Sequence, residues 1–416
     1  MGRDGERFVG RGVGAGGGQR LAGFGETLAT NGPRGVVELP RGGGLGEEGE
    51  LRGHRTSIPR GYDSQTWPTT SAIVLDHLAE FMTDHWHFDV ALGSPLMQRY
   101  GMTIPFGGAP LHEQRALFEE LVAHGYTDLW SAEANTTDAF TPLALASVWA
   151  PTARLGTAIL PVYTRGPGLL AQSIASLAAA APGRFVAGIG ASSNVIVEGW
   201  NNVPFLEPYK RVRDTLHFLR GALAGEKMSV DYETFSVKGF KLGIVPEQPV
   251  PILVAALREG MLRLAGRDAD GAIVNWLSAD DASRVSGIVN EQGSGKEIVA
   301  RLFVCPNPDK EQILPAAKFS MAAYLNVPVY RAFHEWCGRT EMLAEHWAAW
   351  DAGDRKGALA KIPDSLVDEL IINGTPDECR AHIERYIANG VTTPALLIMG
   401  FGGIDVRQAA LDLAPR

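Results

Sequence analysis

The residues best able to do chemistry in this chain are small ones. Gly188-Ile189-Gly190-Ala191-Ser192-Ser193-Asn194 offers no bulky side chain until Val195, so amides and hydroxyls there can approach a phosphate closely. The plainer alternative is a strand-to-helix turn whose small residues only permit tight packing. Leu257-Arg258-Glu259-Gly260-Met261 follows another short apolar run and leads into a helical pattern, with Arg258 supplying a cation or serving as an ordinary surface arginine. Glu133, in Trp130-Ser131-Ala132-Glu133-Ala134-Asn135, ends a third apolar run shortly before Asp138. A carboxylate there can exchange a proton or accept backbone hydrogen bonds at a helix start. Lys210, Arg211 and Arg213 form a candidate basic patch, or else a solvated helix face.

Other suggestive spacings fail on their chemistry. Gly12-Val13-Gly14-Ala15-Gly16-Gly17 has no strand before it and no amphipathic helix after it, as a dinucleotide loop requires. Gly293-Ser294-Gly295-Lys296 ends in Glu297, where a phosphate loop needs the Ser or Thr that holds magnesium. Gly190-Ala191-Ser192-Ser193-Asn194 lacks the second glycine of a nucleophile elbow. His85-Trp86-His87 and the pair His334 and Cys337 lack the remaining ligands of a zinc set, so no metal is expected.

The elements that must position these residues change character along the chain. Residues 1–101 begin with a Gly- and Arg-rich stretch that cannot bury enough surface to offset its ordering entropy. They read as a largely disordered extension, apart from a short helix within 71–88. From Met102, apolar runs alternate with amphipathic stretches, the pattern of a parallel sheet covered by helices. Strands are expected at 102–106, 128–132, 154–160, 185–189, 252–255, 272–275, 298–304 and 395–399. Helices are expected at 111–124, 138–150, 167–181, 208–224, 260–267, 279–290, 309–325 and 375–389. Residues 102–416 exceed the ~250 that eight βα units need. The surplus falls in two insertions, near 225–248 and near 326–368, the second helical and carrying Trp336, Trp347 and Trp350. An α/β fold of the (β/α)8 TIM-barrel type is therefore expected, with an open doubly wound sheet as its rival.

Bulk properties exclude several function classes. A net charge of −9 argues against a nucleic-acid partner. No run approaches the roughly 18 apolar residues of a membrane span, and there is no secretory h-region, so a cytoplasmic protein without a membrane partner is expected. Cys305, Cys337 and Cys379 are widely spaced, as buried or incidental thiols in a reducing compartment would be.

Arg154-Leu155-Gly156-Thr157-Ala158-Ile159-Leu160-Pro161, Pro182 to Ser193, and Leu264 to Gly271 resemble, in order and spacing, signatures of the luciferase-like F420-dependent oxidoreductases. The likeness covers 102–416, including the closing Gly374-Thr375-Pro376-Asp377-Glu378. It implies a bacterial-luciferase-like barrel, a homodimer and coenzyme F420 as cofactor, with FMN the alternative because flavin-dependent relatives share these signatures. It further implies a non-prolyl cis peptide at Ala158 and Ile159, bulging under the central ring of the cofactor. It puts Gly190, Ala191, Ser192, Ser193 and Asn194, with Leu257, Arg258, Glu259 and Gly260, at the phosphate and ribityl end.

Many deazaflavin dehydrogenases of the family carry an Asp-His pair near Glu133. Here Glu133 takes the carboxylate position and Ala134 stands where the His would be, which argues against alcohol or sugar-phosphate dehydrogenation. Glu133 is left as the group that orients the ring or exchanges a proton. The implied activity is hydride transfer between F420 and a small organic substrate. The alternatives are an FMN-dependent monooxygenase and a non-catalytic barrel that carries the cofactor.

Overall fold

The computed structural model of the protein describes residues 98–415. The expected helix within 71–88, the His85-Trp86-His87 cluster and all but the last few residues of the expected N-terminal extension lie outside these residues. Each of the eight expected barrel strands is present: β1 Gly101–Thr103, β2 Asp128–Ser131, β3 Arg154–Thr157, β4 Phe185–Gly190, β5 Ile252–Ala255, β6 Gly271–Asn275, β7 Glu297–Cys305 and β8 Thr393–Ile398. Each pairs in parallel with the next, from β1 with β2 through β7 with β8. β8 returns to β1, setting Ala395 beside Gly101, so the sheet closes into a TIM barrel and the open-sheet alternative falls.

Alternation along each strand sends one set of side chains inward and the other toward the covering helices. Trp130, Val186, Leu253, Ile273, Val299 and Ala395 form the inner cluster. The fully buried Trp130 indole explains two glycines on its neighbouring strands. A Cβ on Gly101 would lie 2.7 Å from the indole, and one on Gly156 would lie 2.3 Å from it. At the N-terminal end of the barrel, Arg154 donates from Nε to Asp128 at 2.7 Å and from Nη1 to Glu297 at 2.9 Å. Thr393 Oγ1 donates to the same Glu297 at 2.9 Å, so this inner arginine is fully answered by carboxylates.

The outer helices are α1 Arg115–Ala123, α2 Phe140–Trp149, α3 Pro167–Ala180, α4 Pro208–Leu223, α5 Glu259–Asp268, α6 Ala279–Asn290, α7 Pro376–Ala388 and α8 Val406–Asp412. α7 opens as its sequence requires: Thr375 and Glu378 cap one another reciprocally, with Pro376 as the first helical residue. The first insertion is an antiparallel hairpin, Met228–Asp231 with Ser236–Phe240. The second follows the helix Lys310–Leu325 and is helical as expected, running through Pro328–Trp336, Thr340–Asp351, Arg355–Ala360 and Asp364–Leu370. Trp347 anchors it, buried and donating its indole N–H to the Leu325 carbonyl at 3.0 Å.

Several elements were not foreseen, the strands of the hairpin insertion among them. A short strand, Ile371–Asn373, pairs with β7, a wide π-helical turn spans Val195–Trp200, and α8 closes the chain. The expected third strand divides: it stops at Thr157 and resumes as Leu160–Pro161, which pairs with the end of β4.

Candidate active site

The break between Thr157 and Leu160 is where the candidate site begins. The Ala158–Ile159 peptide is cis. Ala158 donates its N–H to the Ser131 carbonyl at 2.7 Å, and the Ile159 carbonyl accepts from the Glu133 N–H at 3.4 Å. On the other side, Val162 donates to the Gly190 carbonyl at 3.0 Å. The bulged segment is thus stitched to the ends of both β2 and β4.

Gly190 shows how closely these ends approach. A Cβ there would lie 2.7 Å from the Ala255 Cβ and 3.0 Å from the Ile159 side chain. The ends of β3, β4 and β5 therefore converge on a spot where only a glycine leaves their side chains room.

Beyond Gly190, Ala191, Ser192 and Ser193 are half-buried and Asn194 is exposed. Ser192 turns the loop with a left-handed backbone at φ 65°. The Ser193 carbonyl accepts from Val197 at 2.9 Å, and its hydroxyl accepts from the Ile196 N–H at 3.4 Å. The backbone N–H groups of Ser192 and Ser193 find no acceptor among the described residues. Two such donors beside a helical turn suit an anionic oxygen.

The third group stands on the β5 to α5 connection. Leu257 is half-buried, while Arg258, Glu259 and Gly260 are exposed. The Arg258 carbonyl opens α5 by accepting from Met261 and Leu262 at 3.0 Å each. The Arg258 guanidinium makes no ion pair among the described residues, whereas Glu259 is paired with Arg263 at 2.8 Å.

Glu133 is a sequestered carboxylate. One oxygen meets Arg165 Nη1 at 2.5 Å, and the other accepts the Ala139 N–H at 3.3 Å, so a helix-start contact and an ion pair coexist. Both side chains are mostly withdrawn from water, 12% exposed for Glu133 and 20% for Arg165. Asp138 accepts from the Phe140 and Thr141 N–H groups at 2.9 Å each. Burial opposes its charge, but these bonds and the Thr141 hydroxyl hold the carboxyl below its usual range. Arg165 was not anticipated, since nothing in its local sequence ties it to a glutamate on another strand end.

The candidate basic patch does not stand free. Lys210 pairs with Glu207 at 2.8 Å and Glu233 at 3.0 Å, and Arg213 pairs with Asp214 and Glu233 at 2.7 Å each. Arg211 donates to the Thr234 carbonyl at 3.1 Å and lies 4.7 Å over the Phe235 ring. All three hold the hairpin insertion against α4. Among the described residues no group of three or more His, Cys, Asp or Glu is arranged to hold a metal ion, and no helix is long and apolar enough to cross a membrane.

Known proteins resemble this chain over most of its length. A family model described as luciferase-like monooxygenase matches residues 90–393. The chain is similar to 5,10-methylenetetrahydromethanopterin reductase of Methanolobus tindarius, 28% identical over 286 residues, which are 64% of this chain and 84% of that protein. It is also similar to F420-dependent glucose-6-phosphate dehydrogenase of Mycobacterium avium, 24% identical over 281 residues, 63% of this chain and 78% of that one. Among solved structures, the coenzyme F420 dependent tetrahydromethanopterin reductase from Methanopyrus kandleri shares the fold, with a TM-score of 0.63 at 20% identity. That match covers 76% of this chain and 97% of the other.

Proposed function

The chain belongs to the luciferase-like monooxygenase family, and from that membership we propose that it is an oxidoreductase that binds coenzyme F420 and moves a hydride between the deazaflavin and a small organic substrate. One observation carries the reading: the Ile159, Gly190 and Ala255 strand ends converge beside two amides that have no acceptor among the described residues. The F420 dependence named for the Mycobacterium avium dehydrogenase supports the choice of cofactor within the family.

The residues suit such a group. Ala158, Ile159 and Gly190 provide a floor free of large polar side chains, on which a flat ring can lie. Ala191, Ser192, Ser193 and Asn194 offer amides and hydroxyls to its phosphate, and Arg258, with Leu257, Glu259 and Gly260 around it, brings a cation toward the acidic tail. Bound there, the deazaflavin supplies two-electron hydride chemistry, while the chain orients it and excludes water. Glu133, fixed by Arg165, orients the ring edge or exchanges a proton with the substrate. With Ala134 beside it instead of a histidine, alcohol or sugar-phosphate oxidation is disfavoured together with its reverse, and reduction of an unsaturated compound is the better expectation.

The test is separate titration of the purified protein with F420 and with FMN, followed by fluorescence. Saturable F420 binding, with faster reoxidation of the reduced cofactor when an unsaturated compound is added, is the expected result. Tight FMN binding without F420 affinity would overturn the cofactor assignment. Binding without any substrate-dependent acceleration would leave a carrier instead of an enzyme.

A further inference from the structure

One cation at the mouth of the barrel has no task in the reading above. Alternation along β7 puts Val299, Arg301 and Phe303 on one face, and Val299 belongs to the inner cluster around Trp130. Arg301 therefore points into the barrel one step nearer the C-terminal mouth, level with Asn275 of β6 and Ala395 of β8. Its Nε is sealed from solvent and has no acceptor, and no carboxylate among the described residues pairs with it. Its guanidinium lies 5.8 Å over the Phe303 ring. Burial presses against its charge, with only the Tyr324 and Tyr330 phenols to offset it.

The contrast with Arg154 is instructive. At the closed end of the same barrel an inner arginine is met by Asp128 and Glu297, as a buried charge requires. At the open end Arg301 is met by none. Beside it a second donor is equally unanswered: Trp276, stacked at 3.9 Å on Phe303, has its indole N–H buried without an acceptor among the described residues. The helical insertion closes over this corner through Tyr330, whose hydroxyl donates to Asn275 Oδ1 at 3.2 Å.

We propose that Arg301, with Trp276 beside it, seats an anionic oxygen group, a carboxylate or a phosphate, on the small molecule this barrel acts upon. The reaction attributed to that molecule rests on the function proposed above, but the anion site does not. The same chemistry is present in the phosphate and acidic tail of F420. The substrate is favoured because Arg301 is on β7, away from the β3 to β5 ends that carry the cradle.

The test titrates the full chain with sodium acetate, glutarate and inorganic phosphate at constant ionic strength, reading tryptophan fluorescence, and compares Arg301→Met and Arg301→Lys. The wild type is expected to saturate with at least one anion, and Arg301→Met to lose at least about tenfold in that affinity. Arg301→Lys should keep part of it. Arg301→Met should bind F420 as the wild type does and melt no lower, because it removes a half-buried charge that no carboxylate among the described residues pairs with. Equal anion affinity in the wild type and Arg301→Met, or no response of the wild type to any of the three, overturns the proposal. A lower melting temperature for Arg301→Met overturns it in favour of a structural role, and loss of F420 affinity in that variant overturns it in favour of the cofactor as the source of the anion. If the anions bind through Arg301 while F420 does not bind at all, the site stands and the cofactor reading falls.

Discussion

Glu133 is held in place by Arg165. The ion pair is mostly withdrawn from water, and the Ala139 N–H on the other carboxylate oxygen fixes it further. Glu133→Gln leaves Arg165 without its anion and should cost about 1–3 kcal/mol of stability, less than a fully buried pair would. If Glu133 also handles the proton, turnover should fall about 100-fold or more while F420 affinity is kept. Steady-state rates and a thermal melt on the same variant check this, and a lower melting temperature with unchanged turnover would reduce Glu133 to a structural carboxylate. At this scale, legibility followed locality. The Gly and Ser loop at 188–194 and the Arg258 segment could be read because smallness and charge are written in consecutive residues. Arg165 and Arg301 could not, because their meaning depends on which strand ends lie opposite them.

The elements show the same division between local and distant causes. The eight strands were readable as short apolar runs between helical patterns, and α7 from its cap, since each signal lies within a few residues. The strand Ile371–Asn373 was missed because it is too short to show a period and exists only by pairing with β7. The helix Pro328–Trp336 carries the clearest electrostatic consequence of the insertion. Its His334 is fully buried, with no hydrogen-bond partner for either ring nitrogen among the described residues. Burial, helped by Arg339 and opposed by Asp281, lowers its pKa to about 4. The unfolded chain protonates this histidine near ~6.5, so acid favours unfolding. The stability contributed by keeping His334 neutral is complete above about pH 6.5 and is lost as pH falls toward about 4, on the order of 3 kcal/mol in all. His346 is also buried and lowered, so it adds in the same direction. Asp281 and Glu297, whose carboxyls are held below their usual range, add their loss only at lower pH still. Urea midpoints at about pH 7 and about pH 5 should therefore differ, and His334→Leu should narrow the gap while raising the midpoint at the higher pH. An unchanged gap in that variant would show that the acid sensitivity arises elsewhere.

For the whole molecule, closure of the barrel is the decisive fact, and the ladders that close it lie within the described residues. β1 supplies both ladders that join the first strand to the last and to the second. Just ahead of it, Gln98 donates to the Thr392 carbonyl at 2.9 Å, Arg99 pairs with Asp128 at 3.0 Å, and Tyr100 is buried against Tyr126. The alternation of strands and helices led to the expected domain start at Met102 because the run at β1 is the first apolar one that a covered sheet can use. The packing of residues 98–100 was not legible, since Gln, Arg and Tyr carry no periodic signal. We propose that residues 98–416 form the folding and binding unit. A chain beginning at Gln98 should melt within about 2 °C of the full-length protein, since none of the contacts just described is lost, and should bind F420 equally well. A chain beginning at Ile104 lacks β1, leaves the edges of β2 and β8 unpaired and exposes the Trp130 indole that Gly101 covers. It should fail to fold cooperatively. Comparing the two by circular dichroism and cofactor titration places the boundary, and a cooperative, F420-binding Ile104 chain would show that the ring of eight strands is not what holds the site together.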